Sequence, residues 1–376
     1  MTYAYFFKLA QFKQFVSSFS TSFSGATHSR LIICDEHGEC VASTTGLGTN
    51  HWMVGIPECA RRIADMIERA KEEHGIEQDT RLTSLGLSLS GCEQEATNIE
   101  LEQELRNSFP DIADSYVVCS DTVGSIFTAS PNGGLVLISG TGSNALLRNP
   151  DGTSYSCGGW GNFMGDEGSA WYIAHCAMKT VFDDMDNFAK SPHPVQRTWE
   201  LIKQHFNVQT RLDLLPHCYA KFDKPFYASL CKKLAHAALE EGDQLCLSLF
   251  KQAGRHIALS VQALLPKVHH DLVESGDLSI VCVGSVWNSW HLLQAGFIEQ
   301  LDRQPIPFGL KLISITKSMA YGACYLGADG IQFDMPRNYL DNFKVMQHYK
   351  PNATTAAVNV FVRVFEICNS NRIKQR

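Results

Sequence analysis

Small, hydroxylated and glycine residues follow three apolar runs of the sequence, where they could bind an anion. The runs end in Ser88-Leu89-Ser90-Gly91, in Ser139-Gly140-Thr141-Gly142-Ser143-Asn144 and in Val283-Gly284-Ser285-Val286-Trp287. In open α/β sheets, ligands bind beyond the carboxyl ends of the strands, and glycine lets backbone N–H groups approach anionic oxygens. The Gly-Thr-Gly-Ser run is the best candidate for a phosphate site, although such a turn also suits a plain β-hairpin.

Asp121 is the carboxylate that stands out, because it follows the apolar run Tyr116-Val117-Val118-Cys119-Ser120. An acid buried at that point without partners would cost stability, so we expect it at a solvated strand end. There it could take the proton of a substrate hydroxyl during phosphoryl transfer. The alternative is that Asp121 only caps the helix that begins at Thr122.

A glycine-rich stretch with one tryptophan, residues 156–169, is the most specific segment of the chain. It contains Gly158-Gly159-Trp160-Gly161 and then Gly165-Asp166-Glu167-Gly168. A sugar ring binds through one apolar face and several hydroxyls, and this stretch offers an aromatic surface, backbone donors and the Asp166 carboxylate. The alternative is a loop before a helix, in which Asp166 or Glu167 favours the helix dipole. Asn50, in Asn50-His51-Trp52, could supply a second wall and an amide.

The elements that must position these residues alternate strands with helices. The first half predicts strands at 31–34, 39–42, 82–89 and 115–121, with helices at 57–74 and 93–109. The second half restarts with strands at 135–139 and 145–148 and continues through helices to strands at 278–283 and 310–315. This repetition predicts an internally duplicated α/β architecture with a cleft between two lobes.

Composition excludes several classes of protein. The 376 residues are 44% hydrophobic and 19% charged, with 32 Lys and Arg against 39 Asp and Glu. The net charge of −7 argues against nucleic acid as a partner, and no apolar run reaches the length of a membrane helix. No CxxC pair, P-loop or Rossmann glycine motif is present in the sequence.

The 13 scattered cysteines are typical of buried thiols in a reducing compartment, so we expect a cytoplasmic protein. Residues 1–27 are rich in serine and phenylalanine and contain no acid. A mitochondrial presequence is the alternative for this segment, but such presequences are rich in arginine and none precedes Arg30.

Five motifs together resemble the amino-sugar kinases of the BadF/BadG/BcrA/BcrD ATPase family, within the sugar kinase, Hsp70 and actin superfamily. They are Gly48-Thr49-Asn50-His51-Trp52, Ser84-Leu85-Gly86-Leu87-Ser88-Leu89-Ser90-Gly91, Leu137-Ile138-Ser139-Gly140-Thr141-Gly142-Ser143-Asn144, Cys157-Gly158-Gly159-Trp160-Gly161 with Met164-Gly165-Asp166-Glu167-Gly168-Ser169, and Cys282-Val283-Gly284-Ser285-Val286-Trp287. The resemblance covers about residues 25 to 328. It implies a two-lobed, duplicated ribonuclease H-like (actin-like ATPase) fold. The implied lobes are residues 24–131, joined by 326–376, and residues 132–325, after an atypical segment 1–23.

The resemblance also implies ATP-dependent phosphorylation of the 6-hydroxyl of N-acetylglucosamine, with Mg²⁺ and in a homodimer. Asp121 would be the general base. The implied sugar-binding residues are Asn50, Asp121, Ser143, Asn144, Gly159, Trp160, Gly161 and Asp166. The implied nucleotide-binding residues are Thr27 and Thr141 at the phosphates, with Ala228, Ser285 and Ser289 near the adenosine. No metal ligand is implied.

The chain departs from the family at its first phosphate loop. The family has an acid-Gly-Gly-Gly-Thr type of loop, whereas this chain reads Phe23-Ser24-Gly25-Ala26-Thr27, and residues 17–22 before it lack the pattern of an apolar strand. Loss of the acid removes charge from the place that organises magnesium and phosphates. Two hypotheses follow, an active kinase and a sugar-binding protein without kinase activity. A redox-activator ATPase is disfavoured, because no cysteine pair has suitable spacing. N-Acetylmannosamine and muramyl-type sugars stay open as alternative substrates.

Overall fold

The computed structural model describes residues 15–20, 28–304 and 306–351. The strands are β1 (Phe15–Ser20), β2 (His28–Cys34), β3 (Cys40–Leu47), β4 (Leu82–Leu89), β5 (Ala113–Ser120), β6 (Gly134–Ser139), β7 (Ser143–Arg148), β8 (Ser154–Gly158), β9 (Asp277–Val283), β10 (Gly309–Ile315) and β11 (Phe343–Tyr349). The α-helices are α1 (His51–Val54), α2 (Ile56–Glu73), α3 (Glu95–Ser108), α4 (Asp121–Ala129), α5 (Ala170–Met185), α6 (Gln196–Phe206), α7 (Leu215–Cys218), α8 (Lys224–Glu240), α9 (Gln244–Leu264), α10 (Trp290–Arg303) and α11 (Ala320–Gly330).

The described residues form two compact units. The first comprises the chain up to Pro131 together with Thr316–Asn342, and the second comprises Asn132–Ile315 and the chain from Phe343. The first sheet has the strand order β3-β2-β1-β4-β5, and the second has the order β11-β10-β9-β6-β7-β8.

The two sheets repeat one topology. In each unit the first strand is antiparallel to the second, the second is antiparallel to the third, and the first is parallel to the fourth. The fourth strand is in turn parallel to the fifth, and β11 adds an antiparallel edge to the second sheet. This repetition confirms the predicted duplicated ribonuclease H-like fold class.

Strand β1 corrects the sequence interpretation of the N-terminal segment. The serine-rich pattern predicted no strand over residues 17–22, yet Phe15–Ser20 is the central strand of the first sheet. Its Val16 pairs with Ile33 of β2 and with Leu85 of β4. Two strongly apolar neighbours supply hydrogen-bond ladders on both sides, so pairing context outweighs the weak pattern of the strand itself.

The return of the chain also differs from the prediction. The sequence predicted that residues 326–376 rejoin the first lobe. In the structure the returning segment is Thr316–Asn342, after which β11 pairs with β10 in the second sheet. Strand β11 pairs antiparallel with β10 and so covers the outer edge of that strand. Residues 352–376 lie outside the described part of the chain.

Glycines let α11 lie directly on the first sheet and on α4. A Cβ at Gly86 of β4 would stand 1.9 Å from the carbonyl oxygen of Ala323, and a Cβ at Gly322 would stand 2.0 Å from that of Gly124. Both contacts are to backbone atoms, which cannot turn aside. The return segment is therefore packed closely into the first unit.

Replacing Gly86 by alanine is expected to lower the free energy of unfolding of the first unit by about 1–3 kcal/mol, because the new methyl group overpacks the contact with α11. Gly46→Ala is the matched control, since its Cβ would meet the flexible thioether of Met66 at 2.6 Å and that side chain can move. Urea unfolding followed by circular dichroism measures both changes. Equal losses in the two variants would contradict the close packing of α11 on β4.

None of the helices in the described ranges combines the length and the apolar character that a membrane crossing requires.

Candidate functional site

Polar residues follow three strands of the first unit at one edge of its sheet. Asn50 comes after β3, Ser90 comes directly after β4, and Asp121 comes directly after β5. The pairings make β3, β4 and β5 run in the same direction, so their carboxyl ends share that edge. Polar groups are expected to converge at this edge of an α/β sheet.

Asp121 is the first residue of α4, and its side chain is 5% exposed. The hydroxyl of Ser90 donates a hydrogen bond of 2.5 Å to Asp121 Oδ2. Burial raises the pKa of Asp121 to about 6, an effect that the hydrogen bond from Ser90 opposes and the nearby charge of Glu93 adds to. Asp121 is therefore a buried carboxylate that can take up a proton near neutral pH, as a general base must.

The loop that carries Asn50 is fixed to the loop after β4. Asn50 accepts a hydrogen bond of 3.0 Å from the backbone N–H of Trp52 and so caps α1. The indole of Trp52 donates to the carbonyl oxygen of Gly91 at 2.9 Å. A Cβ at Gly91 would lie 2.9 Å from Asn50 Oδ1, so glycine is needed for these two loops to approach. The structure thus places Asn50, Ser90 and Asp121 at the same edge of the first sheet.

In the second unit, the turn 140–143 (Gly140-Thr141-Gly142-Ser143) joins β6 to β7. The N–H of Gly140 donates to the carbonyl oxygen of Gly142 at 2.9 Å, and the N–H of Ser143 donates to Asp166 Oδ1 at 3.0 Å. Ser143 Oγ also donates to the carbonyl oxygen of Glu167 at 2.8 Å. These bonds hold the turn against the start of α5, whose N–H groups contact the carbonyl oxygens of Gly140 and Thr141.

Asp166 is buried beside this turn and forms an ion pair. Its side chain is 4% exposed, and Asp166 Oδ2 lies 2.6 Å from the ammonium nitrogen of Lys224. The backbone of Asp166 is left-handed, with φ of 69°. The other carboxylate oxygen, Oδ1, accepts the hydrogen bond from the backbone N–H of Ser143. Asp166 therefore connects the turn 140–143 with the first residue of α8.

A cavity of about 170 Å³ lies next to the turn. Its walls include Ser143, Asn144 and Trp160, together with Met164 of the glycine-rich stretch. Asn144 Oδ1 is buried and has no hydrogen-bond partner among the described residues. A buried polar atom of this kind calls for a ligand or solvent partner.

The glycine-rich stretch follows β8 in conformations that favour glycine. Gly159 and Gly161 have φ of 80° and 76°, and the indole of Trp160 between them is 69% exposed. A Cβ at Gly159 would lie 3.0 Å from Asn144 Cγ. The structure therefore brings Ser143, Asn144 and Gly159 together, and leaves the tryptophan face accessible.

The loop after β9 packs on the same turn. Gly284 has φ of 110°, and a Cβ there would stand 2.3 Å from the carbonyl oxygen of Ser139 and 2.8 Å from the nitrogen of Gly140. Ser285 and Ser289 delimit the 3₁₀-helix that follows. Ser285 is exposed, whereas Ala228 is only 4% exposed and packs in the apolar core of the second unit through α8.

Two expected sites fall outside these observations. Thr27 and the altered phosphate loop before it lie outside the described residues. For a metal, the described residues contain one group of three potential ligands, His269, His270 and Asp271. They precede β9, at the sheet edge opposite to the turn 140–143, so we assign no magnesium ligand.

Sequence reasoning missed two functional candidates, Ser90 and Lys224. Ser90 stood within a recognised strand-end motif, and its proximity to Asp121 could have been expected from the parallel order of β4 and β5. Lys224 lies 58 positions after Asp166 in the sequence, and no local signal relates the two.

Two α/β units with one strand order, and glycine- and hydroxyl-rich turns at the carboxyl edges of their sheets, define a protein of the actin-like ATPase class. A family model matches residues 24–304, more than half of the chain. The chain belongs to the BadF/BadG/BcrA/BcrD ATPase family.

Curated relatives share modest identity. The chain is 28% identical over 191 residues to an N-acetylmuramic acid/N-acetylglucosamine kinase of Clostridium acetobutylicum, a match that spans 50% of this chain and 59% of that relative. It is 27% identical over 273 residues to a glucosamine kinase of Vibrio cholerae, a match that spans 70% of this chain and 82% of that relative.

Solved structures support the fold. A candidate N-acetylglucosamine kinase of Chromobacterium violaceum superposes with a TM-score of 0.63 at 20% identity, over 84% of this chain and 99% of that one. A second candidate, from Porphyromonas gingivalis, gives a TM-score of 0.60 at 17% identity, over 85% of this chain and 99% of that one. At such identity the likeness concerns the fold alone.

Proposed function

We propose that the protein is an amino-sugar kinase, which transfers the terminal phosphoryl group of ATP to the 6-hydroxyl of N-acetylglucosamine. The observation that carries this proposal is Asp121, a buried carboxylate at the carboxyl edge of the first sheet that accepts a hydrogen bond from Ser90. The names of the two curated relatives support the class of substrate, since both are kinases of amino sugars or their derivatives.

In the proposed reaction, Asp121 takes the proton of the 6-hydroxyl as that oxygen attacks the terminal phosphorus of ATP. The bond between this phosphorus and the bridging oxygen breaks, and ADP leaves. The products are the sugar 6-phosphate, ADP and a proton held by Asp121. A pKa near 6 suits this role, because at pH 7 to 8 the carboxylate is mostly ionised but still basic enough to accept a proton.

The residues proposed to bind the sugar are Asn50, Asp121, Ser143, Asn144, Gly159, Trp160, Gly161 and Asp166. The accessible indole of Trp160 offers an apolar face for the ring. The unpartnered Asn144 Oδ1 offers an acceptor for a sugar hydroxyl or amide N–H.

Thr27 and Thr141 of the turn 140–143 would contact the nucleotide phosphates, and Ala228, Ser285 and Ser289 would lie near the adenosine. The turn is proposed for the phosphates because its glycines allow the backbone to approach an anion closely. Magnesium, when bound, would neutralise charge on the phosphates, and is usually held by phosphate oxygens with one or two carboxylates.

The sequence Phe23-Ser24-Gly25-Ala26-Thr27 favours a second candidate, a protein that binds the sugar without phosphorylating it. The acid that normally helps to organise magnesium is absent from this loop. The two candidates differ in one property: only the kinase releases ADP when the sugar is added.

The deciding experiment measures coupled ADP release from the full chain with MgATP, with and without N-acetylglucosamine, beside calorimetric binding of the sugar. Sugar-dependent ADP release is the expected result. Sugar binding without ADP release would establish the binding protein, and Phe23→Asp would then be expected to restore turnover. Absence of both activities with N-acetylglucosamine, N-acetylmannosamine, glucosamine and N-acetylmuramic acid would refute the proposal.

The implied homodimer and cytoplasmic location belong to the same proposal. Sedimentation of the purified chain and fractionation of the source cells test them independently of activity.

A further inference from the structure

Lys224 carries the positive charge that meets the buried carboxylate of Asp166. It is the first residue of α8, which Asp223 caps by accepting from the backbone N–H of Phe226. The Lys224 side chain is 20% exposed, and its nitrogen lies 2.6 Å from Asp166 Oδ2. A carboxylate as buried as Asp166 is costly unless it is paired, so this ammonium compensates the charge.

The ion pair also touches the turn 140–143. A Cβ at Gly142 would lie 2.6 Å from Asp166 Oδ1 and 3.2 Å from the nitrogen of Lys224. The N–H of Ser143 donates to the same Oδ1 atom. Asp166 is therefore held from two sides, by Ser143 on one oxygen and by Lys224 on the other.

The backbone of Asp166 shows that this arrangement is imposed by its surroundings. With φ of 69°, Asp166 occupies the left-handed region, which costs a non-glycine residue conformational energy. Such a conformation persists only where nearby contacts fix it. The contacts that involve the carboxylate are those with Ser143 and Lys224.

We infer that Lys224 is a positioning residue for sugar binding: its ammonium holds the Asp166 carboxylate against the turn 140–143, so that Asp166 is arranged in advance for a sugar hydroxyl. The inference rests on the proposed function, in which Asp166 contacts the sugar. Each carboxylate oxygen can accept more than one hydrogen bond, so the contacts with Ser143 and Lys224 do not use up the acceptor capacity of Asp166. Prearrangement of this kind lowers the ordering cost of binding.

The alternative role for Lys224 is direct contact with a nucleotide phosphate at the turn 140–143. The two roles predict different kinetics. If Lys224 acts through Asp166, its loss weakens binding of the sugar, and only while the Asp166 carboxylate is present. If Lys224 contacts a phosphate, its loss weakens binding of ATP whether or not that carboxylate is present.

A double-mutant cycle separates these roles. Lys224→Met is expected to raise the dissociation constant of N-acetylglucosamine by about 10- to 100-fold, because the loss of one partner leaves the buried carboxylate unpaired and misplaced. The KM for ATP should change by less than about threefold, and in an Asp166→Asn background Lys224→Met should add less than about threefold to the sugar constant. Lys224→Arg should retain most of the affinity, and the exposed Lys221→Met serves as the matched control.

Calorimetry with the sugar alone measures these constants without requiring turnover. If Lys224→Met does not fold, the Lys224→Met/Asp166→Asn variant, which removes both charges, is compared with Asp166→Asn alone. Additive effects in the cycle, a defect confined to ATP, or unchanged sugar binding in Lys224→Met would overturn the inference. Failure of the unaltered protein to bind any of the amino sugars would instead refute the proposed function.

Discussion

Asp121→Asn is expected to lower turnover by about 10²- to 10⁴-fold, the range for loss of a general base, while the sugar dissociation constant changes by less than about tenfold. The amide keeps the size of the carboxylate and can still bond to Ser90, but it cannot take the proton of the 6-hydroxyl. Coupled ADP release and calorimetry measure the two quantities. Asp111→Asn, at an exposed acid just before β5, is the control. Unchanged turnover in Asp121→Asn would remove Asp121 from the mechanism.

The same carboxylate predicts the pH dependence of turnover. Because burial raises the pKa of Asp121 from an ordinary value of 3.8 to about 6, protonation disables the base at a higher pH than for an exposed aspartate. We expect turnover to fall tenfold for each pH unit below about 6 and to level off above it. A rate that is flat down to pH 5 in the unaltered protein would contradict this assignment.

Asp121→Asn is also expected to change the thermal stability of the protein. A folded-state pKa above the unfolded value means that the contribution of Asp121 to stability is present at pH below about 4 and is lost as the pH rises through about 6. At pH 7.5 the ionised side chain therefore weakens the fold, and Asp121→Asn should melt at a higher temperature than the unaltered protein. The comparison at pH 4 should show a smaller difference.

Gly284→Ala is expected to raise the dissociation constant of a non-hydrolysable ATP analogue by about 10-fold or more, since backbone strain and overpacking each cost about 1–3 kcal/mol. The added methyl group would press on the carbonyl oxygen of Ser139 and the nitrogen of Gly140, and so displace the turn 140–143. Calorimetry with the analogue measures the change.

Gly276→Ala tests whether the effect of Gly284→Ala comes from backbone strain or from the contact with the turn 140–143. Gly276 also has a positive φ, of 88°, but a Cβ there meets nothing within 4 Å, and it lies at the opposite end of β9. We expect Gly276→Ala to bind the analogue as the unaltered protein does. Equally weakened binding of the analogue in both variants would show that the contact between the loop after β9 and the turn 140–143 is not the cause.

Much of the fold could be predicted because the pattern of the sequence is local and strong. The run at 82–89 is a strand at Leu82–Leu89, and the amphipathic run at 57–74 is the helix at Ile56–Glu73. The strands β1 and β8 could not be predicted in this way. The first is rich in serine, and the second, Ser154–Gly158, is an edge strand with exposed polar residues.

Part of the candidate site could likewise be predicted from the sequence. Asp121 and the Gly-Thr-Gly-Ser turn could be predicted because each directly follows an apolar strand. The Asp166 and Lys224 ion pair was not visible, since it depends on how α8 packs beside the turn 140–143. Contacts between distant segments arise from tertiary packing, which the local pattern of a sequence does not report.

The path of the chain constrains how the protein can fold during synthesis. The polypeptide passes between the two units after Pro131, after Ile315 and after Asn342. The nascent first unit therefore lacks α11, and the surface of β4 around Gly86 stays uncovered, until the return segment has been synthesised. The second sheet likewise waits for β11. Neither unit can be completed early, in contrast with the usual N-terminal-first order of domain folding.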